Sequence, residues 1–526
     1  MATRRSCRAR KARQDPFFVS FDDSDDEEDH TDAIVQEYAN QPVDSSSGSE
    51  SDNEDFEEDV IEENPPSPME IEDEIGSEED EEADSHTSDI DYTKLFTPEW
   101  SDAFLHYPLM EFEDESGPNV AIPNDANALT YFQLYWSDDV IDLLVKNTNA
   151  YAEHIRGPNP SSSCREWYPT TRPEMKAFLG VTLLMGLLKL PRLEDYWQKS
   201  FPYLKTQIPV VFSKTRYEQL KRFLHVSDIA ADLQATASTA PRDKLMKVRP
   251  LIKHCLEKFK SSFKLAKNIT VDEAMIPYKG RWSIKQYMKD KPTKWGIKVY
   301  VLADALTGYI WNFFIYVGKA AAQGVEPVEG LCSRAVLDLV DDCHYKGHVL
   351  FVDNYYTSPY LFEKLFYYDI YATGTARVNR SGYPKSLKKQ LPKKPARGYY
   401  KHYMRGVDRG DQLLALYGSG RKSKKAWKRI FFYLLESSIL NAYILEGFKS
   451  DRHAVRGREK RDLKEFRSEL ASLLIDGFSS KGSRSEEATF DFLRLNCSLP
   501  HLPVPDNKGK KNDCKSWKNG YGSPWF

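Results

Sequence analysis

Two stretches of the chain, KNITVDEAMIPY at residues 267–278 and KWGIKVYVLADALTGYIWNFFIYVG at residues 294–318, predict the strands on which the fold is built. Both are rich in β-branched and aromatic residues, which favour pleated and partly buried strands. Within the second stretch, residues 306–308 have the composition of a tight turn between two strands. The sequence therefore predicts three consecutive strands that begin near Lys267.

Helices and strands alternate beyond these three strands. The predicted elements are a helix over residues 328–343, a strand that begins near residue 347 and ends at Asp353, a helix over 358–368, a strand over 369–378 and, after a basic loop, a long helix over 426–448. This mixture predicts the α/β class. The order of three strands, helix, strand, helix and strand is the one expected for a ribonuclease H-like fold, a mixed sheet flanked by helices.

The region before the first strand has helical periodicity over residues 130–227. In EMKAFLGVTLLMGLL, residues 174–188, apolar residues recur at intervals of three and four. Residues 212–226 predict an amphipathic helix that Ser213 or Thr215 caps. We therefore expect an N-terminal helical region ahead of the sheet.

The 526-residue chain has a formal net charge of −6, but the charge is distributed unevenly. Residues 1–13 carry +6, residues 14–93 carry −32 and residues 94–526 carry +20. The acidic stretch has too little apolar surface to offset chain entropy, so we expect a disordered acidic N-terminal arm. An acidic tail on a basic body is typical of a protein with a nucleic-acid partner, and the arm offers a contact for chromatin partners.

Several classes of protein are excluded. The longest apolar run, residues 177–188, is shorter than the roughly 20 residues that a membrane-spanning helix needs, so no membrane association is expected. The basic N-terminus lacks the apolar stretch of a secretory signal. The seven cysteines are odd in number and form no C-x-x-C, which favours a reducing compartment. No phosphate-binding glycine loop is present to support nucleotide hydrolysis.

Three aspartates are distinguished by their positions. Asp272 lies in the first predicted strand, Asp353 ends the fourth, and Asp408 precedes the last long helix. In a ribonuclease H-like sheet the first and fourth strands are neighbours, so these carboxylates are expected to converge. Such a set of oxygen donors suits two Mg²⁺ or Mn²⁺ ions. The alternative is that each is a solvated loop residue or a turn former, as most single acids at strand ends are.

The chain also resembles a known family over residues 130–450. The matching stretches, in chain order, are AFLGVTLLMGLLKLPRLEDYW, SKTRYEQLKRFLHVSD, ITVDEAMIPYKGR, KPTKWGIKVYVLAD, VLFVDNYYTSPYLFEKL, ATGTARVNR and MRGVDRGDQLL. They are similar to the piggyBac transposase family and its domesticated, transposable-element-derived relatives. The resemblance implies a DDE/DDD-type transposase whose catalytic triad is Asp272, Asp353 and Asp408, with Asp411 as a further acid of the metal site. It also implies cutting at TTAA-flanked element ends, rejoining by transesterification, dimers, and a nuclear location.

The sequence departs from the family pattern in two places. Asp408 lies only 55 positions after Asp353. The family typically has an insertion domain in this interval, so residues 381–405 are expected to be its remnant. The end of the chain, residues 497–526, resembles the entry to a cysteine-rich domain. Because Cys514 alone cannot form a four-ligand zinc site, no zinc site is expected in this chain.

A basic segment supports duplex DNA as a partner independently of the resemblance. Residues 371–430 hold 17 Lys/Arg and two acids, and phosphate neutralisation would make binding sensitive to salt. The alternative is that this basic segment is a solvated linker with no partner. The cations expected to contact DNA are Arg281, Lys285, Lys294, Lys298, Lys388, Lys389, Lys393, Lys394, Arg397, Arg421, Lys424 and Lys425. Trp295, in contrast, is expected to pack in the core.

These expectations divide the chain into seven segments. They are a disordered acidic arm (1–95), a helical DNA-binding and dimerisation region (96–262), a ribonuclease H-like catalytic core (263–380), an insertion remnant (381–405), the final helix of the core (406–450), a C-terminal helical dimerisation and DNA-binding segment (451–496) and a remnant tail (497–526). Three functions stay open: metal-dependent DNA strand cleavage and transfer, DNA or chromatin binding by a domesticated protein without catalysis, and a protein-interaction scaffold that uses the arm.

Overall fold

The computed structural model describes residues 109–157, 167–198, 206–237, 243–289, 291, 293–318, 330–376, 382–383, 398–420, 423–452 and 461–480. All of them belong to the second of two units, which spans Phe96–Phe526. The predicted acidic arm, most of the predicted insertion remnant and the predicted C-terminal tail lie outside the described residues.

The helices are named in chain order. They are α1 (Ala128–Gln133), α2 (Asp138–Arg156), α3 (Arg172–Leu187), α4 (Ile208–Val211), α5 (Lys214–Phe223), α6 (Ile229–Ala237), α7 (Arg249–Ser262), α8 (Gly330–Val340), α9 (Pro359–Tyr367), α10 (Gly398–Met404), α11 (Gly406–Leu416), α12 (Ala426–Arg452) and α13 (Leu463–Ile475). The helices α1 to α7 precede the main sheet, as the periodicity of that region predicts. Among the described residues, no helix is both long and apolar enough to cross a bilayer.

Side-chain caps and a buried ion pair order the N-terminal helices. Ser213, one of the two predicted caps, accepts a hydrogen bond from the Arg216 backbone amide and begins α5. The Arg216 guanidinium also donates to both carboxylate oxygens of Glu174 on α3, at 2.8 Å and 2.6 Å, and both side chains are buried. Because a bidentate pair of this kind fixes two helices in one register, it helps to hold α3 against α5.

The strands form two sheets. They are β1 (Gly117–Pro118), β2 (Phe263–Lys264), β3 (Asn268–Pro277), β4 (Lys285–Tyr287), β5 (Trp295–Asp304), β6 (Ile310–Ile315), β7 (Val349–Val352) and β8 (Tyr371–Gly374). The small sheet pairs β1 with β2. In the six-stranded main sheet the order is β4, β5, β3, β7 and β8, and β6 also pairs with β5. Strands β7 and β8 run parallel to β3, whereas β5 is antiparallel to it, so the sheet is mixed.

The order of elements matches the sequence prediction. The three strands β3, β5 and β6 are followed by a helix, a strand, a helix and a strand. Among the described residues, the additional elements are the short β4, the β1–β2 pair, and the helices α10 and α11, which lie where a basic loop is predicted. The predicted turn at residues 306–308 joins β5 to β6, where Asp304 Oδ1 accepts from the Thr307 amide at 2.9 Å. Gly308 has a φ of +76°, which favours glycine at this position. The prediction of a mixed α/β architecture is therefore confirmed.

The long helix α12 and the C-terminal helix α13 pack around a buried ion pair. Ile430, Phe431 and Leu434 of α12 are fully buried, as their helical spacing predicts. Arg467 of α13 pairs with the buried Glu436 of α12. A second Arg467 nitrogen donates to the backbone oxygen of the residue after α11, at 2.8 Å. The pair therefore connects α12 and α13 to the end of α11.

Candidate active site

Asp272 and Asp353 are carried by neighbouring strands of the main sheet. Asp272 lies in the middle of β3, and Asp353 is the first residue after β7. The two strands are parallel and Thr270 pairs with Phe351, so continuing this register by two residues sets Asp272 opposite Asp353. The prediction that the strands bearing these two aspartates are neighbours is confirmed.

Asp408 and Asp411 are carried by α11, which packs against the same sheet. They lie three residues apart and therefore on one side of the helix. Asp408 is exposed and Asp411 is half-buried, whereas Asp272 on the sheet is only 7 % exposed. The site therefore has a buried acid at its floor and acids on a helix at its open side.

Glycines allow α11 to approach the sheet closely. A Cβ atom on Gly406 would lie 2.5 Å from the Thr270 side chain and 2.9 Å from the Asp304 backbone oxygen. A Cβ atom on Gly308, in the β5–β6 turn, would lie 3.0 Å from the Gly406 backbone oxygen. Only glycine fits this contact without a shift of the backbone. Gly406 lies two residues before Asp408, so the contact fixes where that carboxylate stands.

Lys291 is the cation among these acids. It comes from the loop between β4 and β5, and its Nζ atom donates to the Glu273 backbone oxygen at 3.0 Å and lies 3.9 Å from Asp272 Oδ2. Burial by itself lowers the pKa of Lys291, but Asp272, Glu273, Asp408 and Asp411 together raise that pKa above its usual value. The acids of the sheet and of the helix therefore all raise the pKa of one ammonium group, and we call these acids and Lys291 the acidic cluster.

Burial raises the pKa values of three aspartates at this site. The pKa of Asp272 lies well above its usual range because of burial and then of nearby Glu273 and Asp408. Burial and then Glu273 raise the pKa of Asp353. Burial, with Asp408 beside it, raises the pKa of Asp411 to about 7. Acids with strongly raised pKa values are common at functional sites, because burial and neighbouring like charges are brought together there.

Glu273, Tyr356 and Lys291 belong to the cluster although the sequence did not single them out for it. Glu273 is 7 % exposed, and its Oε2 atom accepts a 2.6 Å hydrogen bond from the hydroxyl of the fully buried Tyr356. This bond ties β3 to the segment that follows Asp353. In the sequence, Glu273 directly follows Asp272 and Tyr356 lies three positions after Asp353. Neither position indicates that the two side chains are in contact.

Comparison with known proteins identifies the chain. A DDE-type family model described as Transposase IS4 matches residues 127–399 and 393–443, more than half of the chain. Human PiggyBac transposable element-derived protein 5 is 24 % identical over 419 residues, which cover 68 % of this chain and 78 % of that protein. Human PiggyBac transposable element-derived protein 3 is 30 % identical over 270 residues, which cover 50 % of this chain and 42 % of that protein.

The chain belongs to the piggyBac transposase family. A solved structure of this family, the cryo-EM structure of piggyBac transposase synaptic complex with hairpin DNA, matches it with a TM-score of 0.61 and 20 % identity. That match covers 76 % of this chain and 91 % of the other, and it confirms the predicted ribonuclease H-like fold. The two family-model matches meet at residues 393–399, inside the predicted insertion remnant.

The donor set of this piggyBac-family site suits a hard divalent cation. DDE transposases generally use divalent metal ions, and Asp272, Asp353, Asp408 and Asp411 offer only oxygen ligands. Within the described residues, no three His, Cys, Asp or Glu side chains are grouped closely enough to hold one ion. The acids therefore match a divalent metal by chemical type, but as placed here they are not close enough together to coordinate one, and Lys291 provides the positive charge next to Asp272.

The predicted DNA-contacting cations fall into three sets. Exposed or half-buried ones are Arg281, Lys285, Lys294, Lys424 and Lys425. Those outside the described residues are Lys388, Lys389, Lys393, Lys394, Arg397 and Arg421. The segment of Lys424 is joined to the end of β3, since the Tyr278 hydroxyl donates to the Lys424 backbone oxygen at 2.7 Å. The third set is Lys298 alone.

Lys298 and Trp295 differ from their expectations. Lys298 is 8 % exposed, and its Nζ atom lies 4.7 Å from the ring centroids of both Tyr300 and Tyr355. A lysine held in this way supports the packing of β5 and is not a surface cation. Trp295 was expected in the core, but it is 44 % exposed because β5 begins at the outer hairpin with β4.

Tyr356→Phe is expected to lower the free energy of unfolding by about 1.5–3 kcal/mol, because it leaves the buried Glu273 carboxylate without its hydroxyl donor. Urea unfolding of the two proteins measures the difference. The matched control is Tyr367→Phe, whose side chain is 72 % exposed and whose effect should stay within about 0.5 kcal/mol. If both variants unfold like the parent, the Glu273–Tyr356 bond does not stabilise the site.

Proposed function

We propose that this protein cuts and rejoins duplex DNA at TTAA-flanked element ends, in a reaction that depends on divalent metal. The observation that carries the proposal is the placement of Asp272 and Asp353 on neighbouring parallel strands, with Asp408 and Asp411 on the helix that packs against β3. Family membership and the hairpin DNA in the matched transposase complex support it. We further propose a nuclear homodimer whose acidic arm contacts chromatin partners.

Asp272, Asp353 and Asp408 would form the catalytic triad and hold the divalent metal ions, with Asp411 as a further acid beside them. Bound Mg²⁺ or Mn²⁺ supplies charge stabilisation for transfer of a phosphoryl group to water or a 3′-hydroxyl. The chain itself fixes the carboxylates on two strands and one helix. Lys291 limits repulsion among these acids while they are gathered. The exposed cations, such as Arg281 and Lys424, would neutralise phosphates of the bound duplex.

Metal-dependent nicking tests the proposal. The full chain is incubated with labelled duplexes that carry TTAA-flanked ends, with Mg²⁺, with Mn²⁺ or with EDTA. Nicks are expected only with metal. The Mn²⁺ concentration for half-maximal cutting should fall about tenfold from pH 6 to pH 8, because protons compete for Asp411, whose pKa is about 7. Cutting that EDTA does not affect would contradict the proposed chemistry.

DNA binding without cleavage is the second candidate, and the placement of Lys291 favours it. Its ammonium already gives the Asp272 carboxylate a positive partner in a site of raised carboxyl pKa values. In a protein that no longer binds metal, Lys291 could stay beside Asp272 without reducing any metal-dependent activity. The nicking assay separates the two candidates, since this one expects duplex that is bound, is released by salt, and remains uncut in metal.

A further inference from the structure

Two exposed aromatic side chains lie side by side on the outer hairpin of the main sheet. Tyr287 of β4 pairs with Trp295 of β5, and their ring centroids are 4.8 Å apart. Tyr287 is 51 % exposed and Trp295 is 44 % exposed. Large aromatic surfaces of this kind are normally buried, so a pair of them in solvent indicates a contact that forms with a partner.

The charge around the pair fits a nucleic-acid strand. Lys285 Nζ lies 4.7 Å from the Trp295 ring centroid. Lys289 and Lys294 are exposed in the loop of the same hairpin, and Arg281 is exposed shortly before β4. Residues 281–295 hold five Lys/Arg and one acid. Aromatic rings set among cations are the arrangement by which proteins bind unpaired bases, since the rings stack on bases and the cations contact phosphates.

The pair is directly connected to the acidic cluster. The Met288 amide donates to the Lys294 backbone oxygen at 2.8 Å and closes the loop that carries Lys291. That loop takes Lys291 to Asp272, with 3.9 Å between Nζ and Oδ2. Trp295 lies four positions after Lys291, so the backbone between them spans at most about 14 Å. This length corresponds to the axial rise of roughly four base pairs of duplex DNA, since each strand carries one phosphate per about 3.4 Å of helix axis.

We propose that Tyr287 and Trp295 form a stacking platform for an unpaired base of the DNA strand, within a few nucleotides of the site of cutting. This inference rests on the proposed function, because it assumes that the acidic cluster acts on DNA. A paired base offers no free face to these rings, so the platform distinguishes frayed or single-stranded ends from intact duplex. The lysines would bind either form through phosphates, whereas the aromatic pair adds affinity for the unpaired form alone.

Binding of 2-aminopurine-labelled DNA tests the platform. The full chain carries Asp272→Asn throughout, so that no cutting is needed, and the probes are a duplex with a four-nucleotide single-stranded end and the same duplex with a blunt end. Trp295→Ala should weaken binding of the overhang probe by about 5- to 100-fold and should abolish the quenching of 2-aminopurine. Its effect on the blunt duplex should stay below about twofold.

Two further variants make the outcome decisive. Trp295→Phe should restore most of the preference for the overhang, which a misfolded hairpin would not do. Tyr367→Ala removes an aromatic side chain that is 72 % exposed on α9, and it should change neither probe. Equal loss on both probes, or no loss on either, would overturn the platform. If the platform test fails but the parent protein still nicks DNA, the proposed function stands without the platform. If the variants show stacking but the parent does not nick DNA, the proposed function is wrong and the platform stands.

Discussion

Asp272→Asn is expected to abolish metal-dependent nicking while leaving salt-sensitive DNA binding in place. Removal of one well-placed electrostatic group commonly slows an enzyme by about 10²–10³-fold, and a lost metal ligand at the floor of the site should cost at least that much. Binding should be equal or tighter, since the change removes a negative charge from a surface that would face phosphates. Nicking and filter binding on the same labelled duplex measure both effects.

The same substitution is expected not to destabilise the metal-free protein. The pKa of Asp272 is raised in the folded chain, first by burial, so its contribution to stability is present at low pH and declines as pH rises through the folded value. Asparagine removes this cost and keeps the oxygen that accepts from the Glu273 amide at 2.8 Å. The melting temperature at pH 7.5 in EDTA should therefore equal or exceed that of the parent.

A matched control separates this effect from a general loss of acid. Asp341→Asn removes a carboxylate whose side chain is 79 % exposed after α8, and it should alter neither nicking nor melting. If Asp272→Asn nicks as fast as the parent, the assignment of the aspartate triad is wrong. If it loses DNA binding while it stays folded, the acid contributes to the DNA contact itself.

The strands that carry the first two aspartates were predictable because their sequence patterns are local. Runs such as ITVDEAMI and VLFVD predict a strand and also show where the aspartate lies within it. Their adjacency followed from the order of elements, and the parallel pairing of β3 with β7 confirms it. The position of Asp408 relative to Asp272 was harder to predict, because it depends on how α11 packs against the sheet.

The contacts of Glu273, Lys291 and Trp295 were not predictable from local pattern. The bond from Tyr356 to Glu273 joins residues 83 positions apart and depends on side-chain direction across two strands. Lys291 lies in the sequence between Lys285 and Lys294, two of the cations expected to contact DNA, yet its ammonium group donates to the Glu273 backbone oxygen of β3. Trp295 begins a buried strand, and its exposure follows from the short partner β4, which the sequence did not indicate.

Gly406→Ala tests whether the packing of α11 controls the site. Alanine is the better helix former by about 1 kcal/mol, which alone predicts a small gain in stability. Its Cβ atom, however, would meet the Asp304 backbone oxygen and the Ala305 Cα atom at 2.9 Å, and neither can move without distorting the β5–β6 turn. Overpacking of this kind typically costs about 1–3 kcal/mol. The clash should therefore outweigh the gain, and the melting temperature should fall.

The loss of nicking by Gly406→Ala should exceed its loss of stability. A displacement of about 1 Å in a catalytic group can cost up to about 10²-fold in rate, and Asp408 follows Gly406 by two residues on the displaced helix. Nicking is measured at a temperature where both proteins are folded. Gly418→Ala is the control, because its Cβ atom would meet only the Leu414 backbone oxygen, at 3.4 Å. If Gly406→Ala melts lower but cuts at the parent rate, the chemistry does not depend on Asp408, and the metal site must be sought among the acids of the sheet.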